Sequence, residues 1–179
     1  MADIDQLASI DPKKLSKNEF VALLSSFTEA AQDGKQFDLS TMPPQDFARI
    51  ISRASKEQVD AVMAEPTLRG PILDEVFRRM EVHFRTERAG STRAVVHFRL
   101  TNGEDFDRYQ VHIDDGTCRI TKDGDDEPRA TVTLPPLEFL KLATGNASAP
   151  VLFMTGKLKV KGDLGFAAGF MSLFDIPKA

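Results

Sequence analysis

Few residues in this chain have the types and spacing that chemistry requires. His97 and His112 alternate with apolar residues in two successive runs that read as strands. If that hairpin pairs about its loop centre, Phe98 opposes Val111 and His97 opposes His112. Two cross-strand imidazoles hold a metal only with further ligands, and no third lies at a fixed spacing, so solvated sheet-face histidines are expected. His83, beside Phe84, reads as a helix-boundary residue. Cys118 is the single cysteine, which excludes a disulfide framework and a thiolate zinc site. It alternates with Ile120, on the apolar face of a strand, where a thiol is inert. The stretch Gly162-Asp-Leu-Gly165-Phe-Ala-Ala-Gly169 follows a strand and opens a helix, the context of a phosphate loop. Its spacing fits neither G-x-G-x-x-G nor the P-loop, so its small residues are assigned to close helix packing and Asp163 to the N-cap. The acidic runs Asp114-Asp115 and Asp123 to Glu127 lack calcium-loop spacing and read as solvated hairpin tips. No serine sits in a nucleophile elbow. The expectation is a protein that is not an enzyme, with no cofactor and no metal.

Composition narrows the partners. With 179 residues, 41% of them apolar, the chain can bury a core unaided. Its net charge of −4, lack of tryptophan and single tyrosine offer neither a basic field nor stacking platforms for nucleic acid. The first residues, MADIDQLASIDPKK, lack an apolar signal region, and Asp175 to Ala179 is not an S-K-L type address. A reducing cytoplasm is the expected setting.

The elements that must position any site fall into two groups. Residues 1–66 read as an annex of three short amphipathic helices after a loose lead-in. Ser16-Lys-Asn-Glu19 is a capping box with Leu15 at the staple position; Phe20, Leu23, Leu24, Phe27 and Ala31 then share one face, and Asp33-Gly34 stops the helix. Pro43-Pro44 starts a second helix (Phe47, Ile50, Ile51, Ala54), and Ser55-Lys-Glu-Gln58 caps a third (Val59, Val62, Met63) before Pro66 breaks the chain.

Residues 67–179 read as a second unit. A helix over 71–84 carries Leu73, Val76, Phe77, Met80 and Phe84, with Pro71 at its start or at a kink near it. The apolar period then changes from 3.6 to 2. Strands are predicted around 95–100, 109–113, 117–121 and 130–134, separated by Asn102-Gly103, Asp114-Asp-Gly116 and Asp123 to Asp126, and read as an antiparallel meander with one wet face. Leu158 to Val160, flanked by Lys157, Lys159 and Lys161, makes a fifth. Pro135-Pro136 starts a helix interrupted only by Glu138 and Lys141, and Leu164 to Phe174 is apolar except for Gly165, Gly169 and Ser172. Both helices are greasier than one buried side requires. A lined cavity and a core filled from both sides account for that surplus equally well. The terminal helix is far short of the about 20 residues of a membrane span.

The order of elements, with Gly156-Lys-Leu-Lys-Val-Lys-Gly-Asp163 before a helix of Leu, Ala, Met and Phe, resembles the sterol carrier protein type 2 (sterol-binding) domain family. The similarity covers roughly Thr67 to Phe174; residues 1–64 resemble an extension seen on bacterial members. The resemblance implies an α+β fold: a five-stranded, mainly antiparallel sheet, one face covered by helices that enclose an apolar tunnel for a fatty acyl chain, a sterol-like molecule or another lipid. By position it implies that Leu164, Phe166, Phe170, Met171 and Phe174 line the tunnel with Phe139, Leu142, Phe153 and Met154, over a floor of Phe98, Val111 and Val132. The Gly145 to Pro150 loop and the terminal helix are the expected gate. The implied function is non-catalytic carriage of a hydrophobic ligand, with at most transient membrane contact. The alternative is a protein-interaction or dimerisation module with a filled core, meeting a second copy or a partner protein through the N-terminal helices.

Overall fold

A computed structural model of the chain describes residues 9–32, 42–102, 105–122, 124 and 126–175. Asp33-Gly34, the hairpin residue Gly103, Asp123, Asp125 and the side chains of Phe27 and Ala31 lie outside them. After a 3-10 turn at Pro12–Lys14, the elements run α1 (Lys17–Gln32), α2 (Pro44–Arg53), α3 (Lys56–Met63), α4 (Pro66–Val82), α5 (Thr86–Ala89), β1 (Ala94–Asn102), β2 (Asp105–Asp114), β3 (Thr117–Thr121) and β4 (Ala130–Leu134). They continue with α6 (Pro136–Ala143), α7 (Ala149–Met154), β5 (Lys159–Gly162) and α8 (Leu164–Phe170), and a 3-10 turn over Met171–Leu173. The mixed α+β class and the five-stranded sheet are as expected.

Local signals place most helix starts. Ser16 Oγ accepts the Glu19 N–H at 3.1 Å, and Ser55 and Gln58 form the full reciprocal capping box. Pro66, expected to break the chain, instead occupies the first turn of α4, where a missing N–H costs nothing. Pro71 lies inside that helix and gives no hydrogen bond to the Thr67 carbonyl, yet fully buried Leu68 and Leu73 on either side of it hold the turn in place. The helix ends at Val82. Phe84 leaves it to form an isolated antiparallel bridge with Phe174, and the Arg85 and Asp175 N–H groups donate to the Leu173 and His83 carbonyls at 2.6 and 2.8 Å. That pairing holds Phe174 in extended backbone, so the terminal helix stops at Phe170 rather than running on.

The sheet order is β3-β2-β1-β4-β5. Three strands form an antiparallel meander, but β4 pairs parallel to β1 on the far side, which corrects the four-strand meander expected from alternation. The reason is positional. Thr121 pairs with Gln110, which faces His97, and β4 begins beside Val96. The chain therefore enters β4 at the height at which it left β3 and has only to move sideways. The three strand spacings to be crossed total about 14 Å, a span that residues 122–129 can cover. This crossing lies on the wet face, so Gly124, Asp126 and Glu127 belong to it and not to a hairpin tip. Gln110 Nε2 and an Arg108 guanidinium nitrogen both donate to the Gly124 carbonyl, and the Arg129 N–H donates to the Val95 carbonyl at 2.7 Å.

The β1–β2 register also differs from the expected one. Phe98 faces Tyr109 and His97 faces Gln110, because Asn102 pairs with Asp105 across a two-residue connection. The shift is even, so every side chain keeps its face. His97 and Gln110 are buried beneath the crossing segment, not solvated, and burial lowers the His97 pKa below its ordinary value. No group of three metal-ligating side chains occurs among the described residues. Cys118 lies inward as expected, and burial, with Glu81 adding, pushes its thiol up to about 12.

Three helices cover the apolar face: α4 over β3, α6 over β1 and α8 over β4 and β5. Their contacts run through aromatic rings. Phe77 of α4 stacks on Tyr109 at 4.0 Å and on Phe139 of α6 at 4.7 Å, while Phe98 meets Phe77, Phe139 and Phe170 of α8 within 5.7 Å. Helices α1 to α3 form a third layer on the outer sides of α4 and α6 and join the same hydrophobic cluster.

The corner between β5 and α8 is tightly specified. Gly162 has φ +95°, and a Cβ there would meet the Arg129 carbonyl oxygen at 2.5 Å. Asp163 accepts the Phe166 N–H at 2.9 Å as the N-cap and receives Arg129 Nε at 3.0 Å; these two contacts, in that order, hold its carboxyl below the ordinary 3.8. Two outcomes are expected. Gly162→Ala lowers the unfolding free energy by about 1–3 kcal/mol from backbone strain, read as a lower urea midpoint, and an unchanged midpoint contradicts this account. Asp163→Asn keeps a capping oxygen but loses the charge. Because the folded pKa is depressed, the wild-type advantage over this variant is present above the ordinary carboxylate pKa and disappears as pH falls through the folded one. A difference that grows toward acid pH shows the sign to be wrong.

Candidate functional site

The space beside α8 follows from what that helix is made of. Asp163 starts it, Phe170 and buried Ala167 face inward, and Gly165 and Ala168 bring no bulk to the sheet side. A helix set against a sheet by small residues leaves a gap wherever no partner side chain fills it. Opposite stands α7, a short helix anchored by one buried side chain, Leu152. Its C-terminus is closed by the Lys157 and Leu158 N–H groups, both donating to the Leu152 carbonyl at 2.9 and 3.1 Å. The apolar run Leu152 to Met154 is helical. Burying Leu152 turns Phe153 and Met154 outward.

Between these elements lies an apolar cavity of about 410 Å³. Phe98 and Val132 form its floor, Leu158 and Val160 its β5 side, and Leu142 its inner end. Ala149, Pro150, Phe153 and Met154 contribute the α7 wall; Leu164, Gly165, Ala167, Ala168, Phe170 and Met171 contribute the α8 wall. Phe153 (50% exposed), Met154 (84%) and Leu164 (54%) both line the cavity and meet solvent, so it opens between α7 and the start of α8. No charged side chain lines it. Such a wall holds apolar matter and offers no base, nucleophile or ion.

Of the residues assigned to a lipid site from the sequence, eight lie in this wall: Phe98, Val132, Leu142, Phe153, Met154, Leu164, Phe170 and Met171. Four lie elsewhere. Val111 is fully buried in the sheet core, and Phe139 is packed against Phe77 and Phe98. Phe166 sits under the Arg129 guanidinium, 4.2 Å from the ring centre. Phe174 is held between Phe170 and Phe84, at 5.2 and 5.6 Å. Sequence reasoning put Ala149 and Pro150 in the gate rather than the lining, and missed Leu158, Val160, Gly165, Ala167 and Ala168. The signal for the last three was present, since small residues on a greasy helix mark either close packing or a vacancy, and alternation likewise put Leu158 and Val160 inward.

Tyr109 on β2 and Cys118 on β3 are not part of this cavity wall. The Tyr109 hydroxyl donates to Asp74 Oδ1 at 2.8 Å, and its burial, with Asp74 beside it, pushes its pKa far above the ordinary value.

Comparison with known proteins shows the family to which the chain belongs. The chain is 29% identical over 117 residues to hydroxysteroid dehydrogenase-like protein 2 of Xenopus laevis, covering 64% of this chain and 26% of that protein, and 28% identical over the same length to its Xenopus tropicalis counterpart. It therefore spans about a quarter of the length of the curated relatives it matches. Among solved structures it is similar in fold to the inverting sec-alkylsulfatase Pisa1 from Pseudomonas sp., with a TM-score of 0.53 and 13% identity, over 89% of this chain and 28% of the sulfatase. It also matches the sterol carrier protein domain 2 of Helicoverpa armigera, with a TM-score of 0.46 and 19% identity, over 57% of this chain and 84% of that one. Residues 74–175 match the model of the SCP-2 sterol transfer family. That match spans more than half of the chain, which belongs to the SCP-2 sterol transfer family.

Proposed function

We propose that the protein binds and carries a hydrophobic ligand, an acyl chain or a lipid of similar girth, in the cavity between α7, α8 and the sheet, without catalysing a reaction on it. The observation that carries this reading is the open volume of about 410 Å³, lined by apolar side chains and Gly165, with a mouth at Phe153, Met154 and Leu164. Membership of the SCP-2 sterol transfer family supports it. An interaction module with a filled core requires side chains in that same space. The volume falls within the range of about 300–1,000 Å³ typical of small-molecule sites.

Binding is reversible burial. Each methylene moved from water into the cavity contributes about 0.8 kcal/mol before ordering costs, so affinity rises with chain length up to about fourfold per methylene until the cavity is full. Met154 and Met171 suit a wall that repacks around ligands of different shape. Access depends on α7, which a single buried leucine holds and which takes in Ala149 and Pro150, and on the Gly145 to Ser148 segment before it; together they are the gate.

Saturated fatty acids of increasing length, competing with a fluorescent acyl probe, test the reading. The expected result is an affinity that climbs with length and then levels off. Ala149→Trp and Ala168→Trp fill the space from residues that are not fully buried; each is expected to weaken binding at least about tenfold with an unchanged circular dichroism spectrum. Affinity independent of chain length, or untouched by both substitutions, overturns the assignment.

A further inference from the structure

We propose that the rim of this cavity is a docking surface for an anionic lipid bilayer, with Val151, Met154 and Leu164 entering the interface while Lys157, Lys159 and Lys161 meet the headgroups. Six large hydrophobic side chains are exposed among the described residues, and four of them, Val151, Phe153, Met154 and Leu164, lie on α7 and the first residue of α8. The remaining two are dispersed: Val82 at the end of α4, and Phe106 beneath the Arg99 guanidinium. Scattered single residues are ordinary on a protein surface; a cluster around an opening is not. Met154 is the most exposed of all, at 84%.

Charge selects the occupant. Between Ala149 and Leu164 stand three lysines and one acid, Asp163, a local +2 in a chain of −4, which leaves −6 for the rest. The Asp163 carboxylate is engaged by Arg129 at 3.0 Å and Lys157 Nζ lies 3.9 Å from Glu138 Oε1, so Lys159 and Lys161 set the local field. All three are exposed, and Lys157 and Lys161 each stand three residues from a rim side chain, within about 10 Å of chain. β5 is the edge strand, so the long stems of Lys159 and Lys161 can turn around the margin of the sheet while their ammonium groups stay in water. A second copy is a poorer occupant. A two-fold interface through this patch brings its lysines against their own images, and like charges facing each other are unfavourable. An anionic membrane satisfies both the apolar rim and the lysines. No helix among the described residues is long and apolar enough to cross it, so the contact is interfacial. The inference rests on the lipid-binding reading and adds where the cargo enters.

The test is cosedimentation of the full chain with vesicles of phosphatidylcholine alone and of phosphatidylcholine mixed with phosphatidylglycerol, at low and high salt. The wild type is expected to partition onto the mixed vesicles, and salt to release it. Replacing all three lysines, K157Q/K159Q/K161Q, is expected to lower that partition at least about 25-fold, at about fivefold for each of Lys159 and Lys161. Val151→Asp, on an exposed residue outside the cavity wall, is expected to weaken it too. Fatty acid binding by the triple-lysine variant stays at the wild-type level, since Lys157, Lys159 and Lys161 do not line the cavity. A wild type that takes up fatty acid but ignores both vesicles overturns the docking surface and leaves the carrier reading standing. Equal partition of the triple variant, or rim-dependent dimers in light scattering without vesicle binding, also overturns it. A protein that binds vesicles but no fatty acid contradicts the carrier reading instead.

Discussion

The structure depends on covering one apolar sheet face. Five strands spaced about 4.8 Å apart make a surface roughly 20 Å wide, whereas a helix with its side chains covers about 10 Å. Two full-length helices therefore almost suffice. The 17-residue α4 takes the β3 side, and α6 takes the centre through Phe139 and Leu140. What remains at the β4–β5 margin is left to α8, a seven-residue helix with small side chains on the facing turns. Phe98, in the middle of the face, touches aromatic residues of all three helices, so it belongs both to the filled core and to the cavity floor. The cavity is the part of the sheet that the last helix approaches without filling.

Two helices of equal greasiness meet different fates. The surplus apolar surface of α6 is covered from outside by α2 and α3: Leu140 meets the annex side chains in the seam, and Asn146 just beyond the helix donates from Nδ2 to the Ala48 carbonyl at 3.1 Å. That surplus belongs to a thick core. Among the described residues, the annex helices pack on α4 and α6 and make no more than marginal contact with α7 and α8. There the surplus faces an open volume and then solvent, the arrangement from which both the carrier reading and the docking surface derive.

Arg129 joins the two faces of the sheet. Its N–H closes the crossing segment onto Val95, and its carbonyl accepts the Asp163 N–H at 3.0 Å. Its guanidinium holds the Asp163 carboxylate and lies over Phe166. One residue thus ends the excursion over the wet face and positions the first turn of the cavity wall. It also explains why Gly162 precedes Asp163, since any side chain there would collide with the Arg129 carbonyl.

The sequence by itself determined the local choices: the capping boxes at Ser16 and Ser55, the Asp163 cap, the change of period after α4, the inward set Val96, Phe98, Val111, Val132 and Val160, and the family resemblance carried by Gly156 to Asp163. Each depends on residues a few positions apart, so spacing alone reveals it. Only the tertiary structure decided the remainder. Alternation specifies which face a side chain takes but not which strand lies alongside, so the parallel placement of β4 and the burial of His97 were not legible. A helix's composition states how much apolar surface it must cover without saying what covers it. Hence Phe139 and Phe170, alike in sequence terms, became a core residue and a cavity wall. That outcome depended on where residues from the other end of the chain came to rest.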